Sequence, residues 1–475
     1  MRFNLKKEYQ FEQLDLEVKQ DESGPMIMMT SVFMLWGFIT VMNASLSDKI
    51  KAVLNLTNSQ EDLLSFVFFG GYFIVGLLMF LICRYVFDPF IKFGFKRMLI
   101  TGLLITAFGC FLFYPAAIVA EMPNLEQAQK FYMFLGAMIL LASGFAILQI
   151  TANSYVISLG DIETASARIN LSQGFNSLGT YLAPLIFTLL FINSDVGGGA
   201  SDIKMPYMTL TLAILLLVVL FSISTLPDIK FLTNHSNSKI IHKEKQLFLG
   251  VVGIFLYVGG EVAIGSHLSE YLQLEHIANF DKITAERYTA LYWGGAMVGR
   301  FLGVAFLSKL ERGTKRTIIL FLTLMCFFLG LSISNSYSIS LVFTCLFIFN
   351  IIGFRLGAGR SAKTLGIFGA AAIICIAVSI INTGEISMWS IIMIGMFNSI
   401  MFPTIFRLGV DNLKSKTSMG SSLLVLAIVG GALVPSVQTY LVTDMGLSLQ
   451  NSFIIPALCY VFVSYYGFSI YLKNG

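Results

Sequence analysis

Gln149 and Asn153, followed by Gln173 and Asn176, stand in the run LLASGFAILQITANSYVISLGDIETASARINLSQGFNSLGTYLAPLIF (residues 140–187), which is otherwise apolar enough to lie in a bilayer. A carboxamide both donates and accepts hydrogen bonds and carries no charge, so a set of them suits the hydroxyls of a neutral ligand such as a sugar without attracting ions. The spacings i, i+4 and i, i+3 put each pair on one helix face. With antiparallel spans at 131–159 and 166–193, Gln149 lies about ten residues before the end of one helix and Asn176 about ten after the start of the next. Both then sit about 15 Å deep, at the middle of a hydrocarbon core about 30 Å thick. A buried amide without a partner costs about 1–3 kcal/mol. Four at one level therefore need either one another, as glue between helices, or a ligand.

Glu261, in YVGGEVAIG, offers a second kind of chemistry. It falls about 21 Å from the edge of a span beginning near residue 247, with no His, Lys or Arg within one turn. An acid at that depth is neutralised, holds a cation or faces water. It is a candidate for coupling transport to a cation and for binding a hydroxyl; a protonated acid bonded to a neighbouring helix is the structural alternative. Arg300, in GGAMVGRFLG, is expected to snorkel to the nearer membrane face and help lock a gate there. Trp293 and Tyr257 are candidates for stacking on a ring, against an ordinary packing role. Pro184, Pro403 and Pro435 read as helix kinks.

These residues need spans to hold them. Of the 475 residues, 56% are hydrophobic and 12% charged, which excludes a soluble globule and indicates an all-α polytopic membrane protein. A net charge of +4 spread over short loops makes nucleic acid an unsuitable partner. The six Cys show no paired spacing, no His pair has metal-ligand spacing, and no cofactor motif is present. No cleavable signal sequence is evident, so the first span is expected to direct insertion.

Windows of about 20 apolar residues place spans at 26–50, 63–87, 98–120, 131–159, 166–193 and 205–226. After a polar stretch come 247–272, 286–308, 315–334, 337–357, 364–383, 387–406, 418–442 and 450–472. Lys and Arg concentrate in KFGFKR, KIIHKEK, KLERGTKR, RLGAGRSAK and RLGVDNLKSK, which puts those loops and both termini in the cytoplasm. The pair 315–357 enters and leaves on that side, so it reads as a hairpin inserted into a six-plus-six scaffold. The expected organisation is a tail at 1–25, a first half at 26–226, a linker at 227–246 and a second half at 247–475. GGYFIVGLLMFLICRYVFDPFIKFGFKR and GGAMVGRFLGVAFLSKLERGTKR, each the second helix of its half, carry the weak repeat.

FMLWGFITVMN, FFGGYFIVGLL, LLASGFAILQITANSYVISLG, ETASARINLSQGFNSLGTYLAPL, YVGGEVAIGSHLSEYL, YWGGAMVGRFLG, GMFNSIMFPTIF and AIVGGALVPSVQ occur in this order along both halves. In them the chain resembles the fucose-galactose-glucose:proton symporter family of the major facilitator superfamily, on its glucose/galactose branch. The resemblance implies an inner-membrane sugar carrier, working by alternating access on a hexose. It maps the sugar site onto Asn43, Gln149, Asn153, Gln173 and Asn176 of the first half and Glu261 and Asn398 of the second. Two positions depart from the wider family: Ala44 stands where the first helix usually carries an Asp, and Gln149 where the fucose branch has a Glu. Asp48, one turn beyond Ala44, and Glu261 are the acids left for coupling. The coupling ion stays open between proton, sodium and none, and fucose or an N-acetylated hexosamine stays open as substrate. An enzyme would need a nucleophile with its base, a metal cluster or a phosphate loop, and none of those motifs occurs. A channel would need charge rings or filter segments. A polytopic protein without transport function is the remaining alternative.

Overall fold

The computed structural model describes residues 23–191, 201–227, 245–411, 413 and 416–474. The expected tail and linker lie almost wholly outside the described residues, and so do the side chains of Ala44 and Asp48. The first half contains α1 (Ser23–Leu54), α2 (Asn58–Tyr85), the short α3 (Pro89–Phe93), α4 (Phe95–Ala120), α5 (Gln127–Ser158), α6 (Ala165–Phe191) and α7 (Ser201–Ile223). The second contains α8 (Lys245–Gln273), α9 (Lys282–Leu307), α10 (Arg312–Ser334), α11 (Tyr337–Gly357), α12 (Ser361–Ile381), α13 (Gly384–Asn398), α14 (Met401–Val410), α15 (Thr417–Leu426), α16 (Gly430–Thr443), α17 (Leu449–Ser452) and α18 (Ile454–Asn474). No strand occurs among the described residues.

Local chemistry sets the boundaries. Thr57 and Gln60 form a reciprocal capping box at the start of α2. Asp88 accepts from the backbone N–H of Phe90 and Ile91, with Pro89 at the first helical position of α3. Asn335 ends α10 in a left-handed conformation, φ 52°, and the next residue, Ser336, caps α11 by accepting from the Ile339 N–H, so the α10–α11 turn is tight.

Thirteen spans among the described residues are long and apolar enough to cross a membrane. Three of them are compound: α13 and α14 form one, α15 and α16, joined by a three-ten turn at Ala427–Val429, form another, and α17 with α18 forms the third. The fourteenth expected span, α6, carries Arg168, Asn170, Gln173 and Asn176 in its first half, and most side chains of its apolar end lie outside the described residues, so it is not counted among them. It is packed against α1, α5 and α9. Side chains such as Leu212, Leu216, Phe321 and Phe328 are more than half exposed, which is where a multi-pass membrane protein meets lipid.

The repeat is visible in which helices touch. In the first half α1 packs on α6, α2 on α5, and α4 on both α5 and α7; in the second α8 packs on α16, α9 on α13, and α12 on both α13 and α18. The two sets correspond when α10 and α11 are passed over. Those two helices pack on each other and on α9, α11 also touching α12 and α13. The molecule is a major facilitator fold of two six-helix halves with an extra hairpin in the second. The halves meet where α2 and α5 touch α15 and where α6 touches α9 and α14.

Candidate substrate and coupling site

The middle of α1 organises the first-half side of the site. The Asn176 Nδ2 donates to the Phe33 carbonyl at 3.0 Å, and Gly37 is needed where α6 crosses, because a Cβ there would collide with the Asn176 backbone carbonyl. On its other side α1 presents Trp36, whose ring centroid lies 6.2 Å from that of Phe145 in α5. Phe145 is one turn from Gln149, and Asn176 is close to one turn from Gln173. The turn Phe33–Gly37 therefore brings Gln149 and Gln173 to one level, as the sequence arithmetic anticipates.

Their burial is nearly complete, with exposures of 4% for Gln149, 0% for Asn153 and 4% for Gln173. The Gln149 Oε1, both amide atoms of Asn153 and the Gln173 Nε2 have no hydrogen-bond partner among the described residues. Asn176 is half-buried, with its amide nitrogen committed to α1. Asn43 is engaged within its own half: the Tyr207 hydroxyl donates to its Oδ1 at 2.7 Å, and its Nδ2 donates to the Met138 sulfur at 3.3 Å. Asp48 belongs to α1, but its side chain is outside the described residues.

Across the interface, Glu261 of α8 finds its partner on a different helix. The Arg300 Nη2 lies 3.8 Å from the Glu261 Oε1, and both side chains are 12% exposed. Arg300 does not snorkel to the membrane surface as expected. Its Nε donates to the Ser399 carbonyl at 3.3 Å, and its Nη1 donates to the Gln173 carbonyl and the Ser177 hydroxyl of α6. The physical reason is acceptor supply: three oxygens and a carboxylate within reach satisfy a guanidinium better than a long extension through hydrocarbon. One cation thus joins α8, α9, α6 and the turn after α13 across the two halves.

Trp293 stands two turns before Arg300, on the same face of α9 (i, i+7). It is 37% exposed, and its indole covers Gly265, one turn beyond Glu261. Its neighbour Tyr292 turns inward, the hydroxyl donating to the Glu261 carbonyl at 3.0 Å. Asn398, expected to face the ligand, is fully buried: its Nδ2 donates to the Tyr292 hydroxyl at 2.7 Å, the Tyr460 hydroxyl donates to its Oδ1 at 2.8 Å, and the Tyr257 hydroxyl donates to its carbonyl at 3.0 Å. Asn398 is thus the hub of a scaffold behind Glu261, and Tyr257, itself fully buried, is part of it. Sequence reasoning passes over Trp36, Ser177, Tyr292 and Tyr460. Trp36, Ser177 and Tyr292 stand in segments that carry the family resemblance, where no role is read for them, and Tyr460 stands outside those segments.

The Major Facilitator Superfamily pattern matches residues 24–362. The chain is 36% identical over 446 residues to the glucose/galactose transporter of Brucella abortus, covering 92% of each chain, and 35% identical over 462 residues to the putative glucose/galactose transporter of Helicobacter pylori, covering 94% of this chain and 96% of that one. The chain belongs to the major facilitator superfamily. Within the superfamily, these relatives place it in the fucose-galactose-glucose:proton symporter family. Among solved structures, a crystal structure of the Escherichia coli fucose:proton symporter FucP matches with a TM-score of 0.71 at 23% identity, covering 94% of this chain and 98% of that one.

This facilitator fold is held together at one end. The face bearing the basic loops carries the ion pair Lys309–Glu163, 2.6 Å, between the α9–α10 and α5–α6 loops, and a hydroxyl pair Ser154–Ser421, 2.8 Å, between α5 and α15. The Asn170 carboxamide lies against Gly303 between these and Arg300. Lys309 holds the Glu163 carboxyl below the usual carboxylate range, by hydrogen bond first and charge second. A cavity of about 700 Å³ between the start of α1 and the end of α7, lined by Pro25, Met28, Thr225 and Leu226 among others, is separate from the amide level.

Proposed function

We propose that the protein is a hexose carrier, with glucose or galactose as substrate, that works by alternating access and couples sugar movement to a cation through Glu261. The observation that carries this reading is the set of orphaned amide atoms on Gln149, Asn153 and Gln173. They are buried on two adjacent helices of one half, opposite the Glu261–Arg300 pair of the other. A fold that leaves several amides unpaired at about 1–3 kcal/mol each is supplying hydrogen bonds to something that comes and goes. Sugar hydroxyls match them in kind, and Trp36 and Trp293 offer faces for the apolar side of a pyranose.

The names of the relatives support the substrate class, and the fucose:proton symporters among them support coupling. Here proton or sodium is the ion we assign to Glu261, with Arg300 as its competitor: a cation on the carboxylate weakens the hold on Arg300 and, through it, on α6. Asp48 is a second coupling candidate. Asn43 and Asn398 act by bracing the walls, Asn176 by fixing α6 on α1. Arg300 serves as a gate by tying the halves together while the basic face is shut. We assign the basic loops and both termini to the cytoplasm, the protein to the inner membrane, and the halves to 26–226 and to 247–475 including the hairpin 315–357.

Purified protein in liposomes provides the test. Labelled hexose uptake should saturate and show counterflow, and a panel of competing sugars, run with and without sodium and with and without a proton gradient, identifies substrate and ion. No saturable uptake of any hexose in any arm would overturn the reading; uptake independent of both ions would leave an uncoupled sugar facilitator.

A further inference from the structure

The α10–α11 hairpin has no counterpart among the described helices of the first half, and its outer side chains, Leu320, Phe321, Leu324, Phe328, Phe349 and Ile352, face lipid. One residue on its inner side departs from that pattern. Asn350, in FLFIFNIIGF of α11, is fully buried, and its Nδ2 donates to the Met396 carbonyl at 2.8 Å. A carboxamide in a helix at the lipid edge is costly unless its bond does something.

Met396 lies in the last turn of α13, just before the helix is interrupted between Asn398 and Met401. The break has a local cause. Pro403 has no N–H and its ring crowds the carbonyl four residues earlier, that of Ser399. The freed Ser399 carbonyl is the one that takes the Arg300 Nε. The Ser399 hydroxyl in turn donates to the Met396 carbonyl at 2.7 Å, so Asn350 and Ser399 share one acceptor. Gly299 lets this turn sit against α9: a Cβ there would be 2.6 Å from the Ser399 Cβ and 2.9 Å from the Met396 carbonyl. The hairpin also touches the other half, where the Tyr181 hydroxyl of α6 lies 3.4 Å from the Ser332 hydroxyl of α10.

We infer that Asn350 is a positioning residue of the carrier: by holding the Met396 carbonyl it fixes the broken turn of α13, and through the Ser399 carbonyl it aims Arg300 between Glu261 and α6. The hairpin is a brace on the coupling network. This rests on the proposed coupling role of Glu261 and Arg300.

The test compares Asn350→Leu, similar in volume but unable to donate, with Gly353→Ala, which disturbs hairpin packing against Phe368 without touching the bond, and with Asn350→Gln as the conservative change. Three readouts are taken on purified protein in liposomes or detergent: the pH profile of hexose counterflow, the thermal shift induced by the hexose, and cross-linking of cysteines placed at Ser154 and Ser421. Asn350→Leu should keep the hexose-induced thermal shift, lower counterflow about fivefold, displace its pH profile and reduce the cross-linking yield. Asn350→Gln should recover part of each. Gly353→Ala should lower Tm while leaving the pH profile per folded molecule as in the parent. A pH profile and cross-linking yield for Asn350→Leu that superimpose on the parent would overturn the inference. If the parent itself handles no hexose, the functional reading fails separately, and cross-linking alone decides whether Asn350 controls the seam.

Discussion

Glu261 and Arg300 approach to 3.8 Å, close enough for attraction and too far for a hydrogen bond, while Arg300 holds three other acceptors. That division of contacts predicts unequal mutants. Arg300→Met leaves a buried carboxylate uncompensated and should destabilise the protein by about 3–5 kcal/mol, read as a large fall in Tm in detergent. Adding Glu261→Gln to it should restore part of that Tm; if the double variant is no more stable than Arg300→Met, the pair is not coupled. Glu261→Gln alone should abolish concentrative hexose uptake and spare exchange, and full accumulation by that variant would remove Glu261 from the coupling step. Arg300→Lys should fail as well, because a single ammonium cannot serve a carboxylate, two carbonyls and a hydroxyl on different helices.

At the scale of elements, two backbone features hold these side chains. The α1–α6 crossing depends on Gly37 against the Asn176 carbonyl and on Gly179 against the Met34 carbonyl. Gly37→Ala should cost about 1–3 kcal/mol by overpacking and reduce hexose affinity by spreading the amide level; unchanged Tm and affinity would show that the helices separate freely. The α13–α14 break behaves in the opposite way. Pro403→Ala restores an N–H that can reach the Ser399 carbonyl and compete with Arg300. It should raise or preserve Tm while lowering the rate of counterflow, a stability–activity split that a purely structural proline would not produce.

At the scale of the molecule, the basic face is shut by contacts that differ in strength. The Glu163–Lys309 pair is largely exposed and weakened by salt, and Glu163 titrates below the usual carboxylate range because of Lys309. A carboxyl lowered in the closed state favours that state above its ordinary pKa and loses the contribution as pH falls through the lowered value. Closure measured by Ser154–Ser421 cross-linking should therefore hold at neutral pH and decline in acid or high salt. Glu163→Lys should imitate acid, and the swap with Lys309→Glu should restore closure. Indifference of the double swap to salt would rule out this pair as a latch.

The sequence by itself determined the membrane class, the spans and the level of the amides, because an apolar run of fixed length and a 1.5 Å rise leave a helix few other ways to lie. Gln149 and Gln173 were legible for that reason, and the hairpin was legible from the side on which its basic loops fall. Tertiary structure alone decided which polar groups are spent and which are free. Asn43 and Asn398 share residue type and apparent depth with Asn153, yet the first two are bonded to tyrosines while the Asn153 amide is bonded to nothing among the described residues. The Glu261–Arg300 pair and the reach of Asn350 into the broken helix also join residues far apart in the chain. Periodicity along one helix cannot specify such contacts, because they depend on how helices turn and lean against their neighbours.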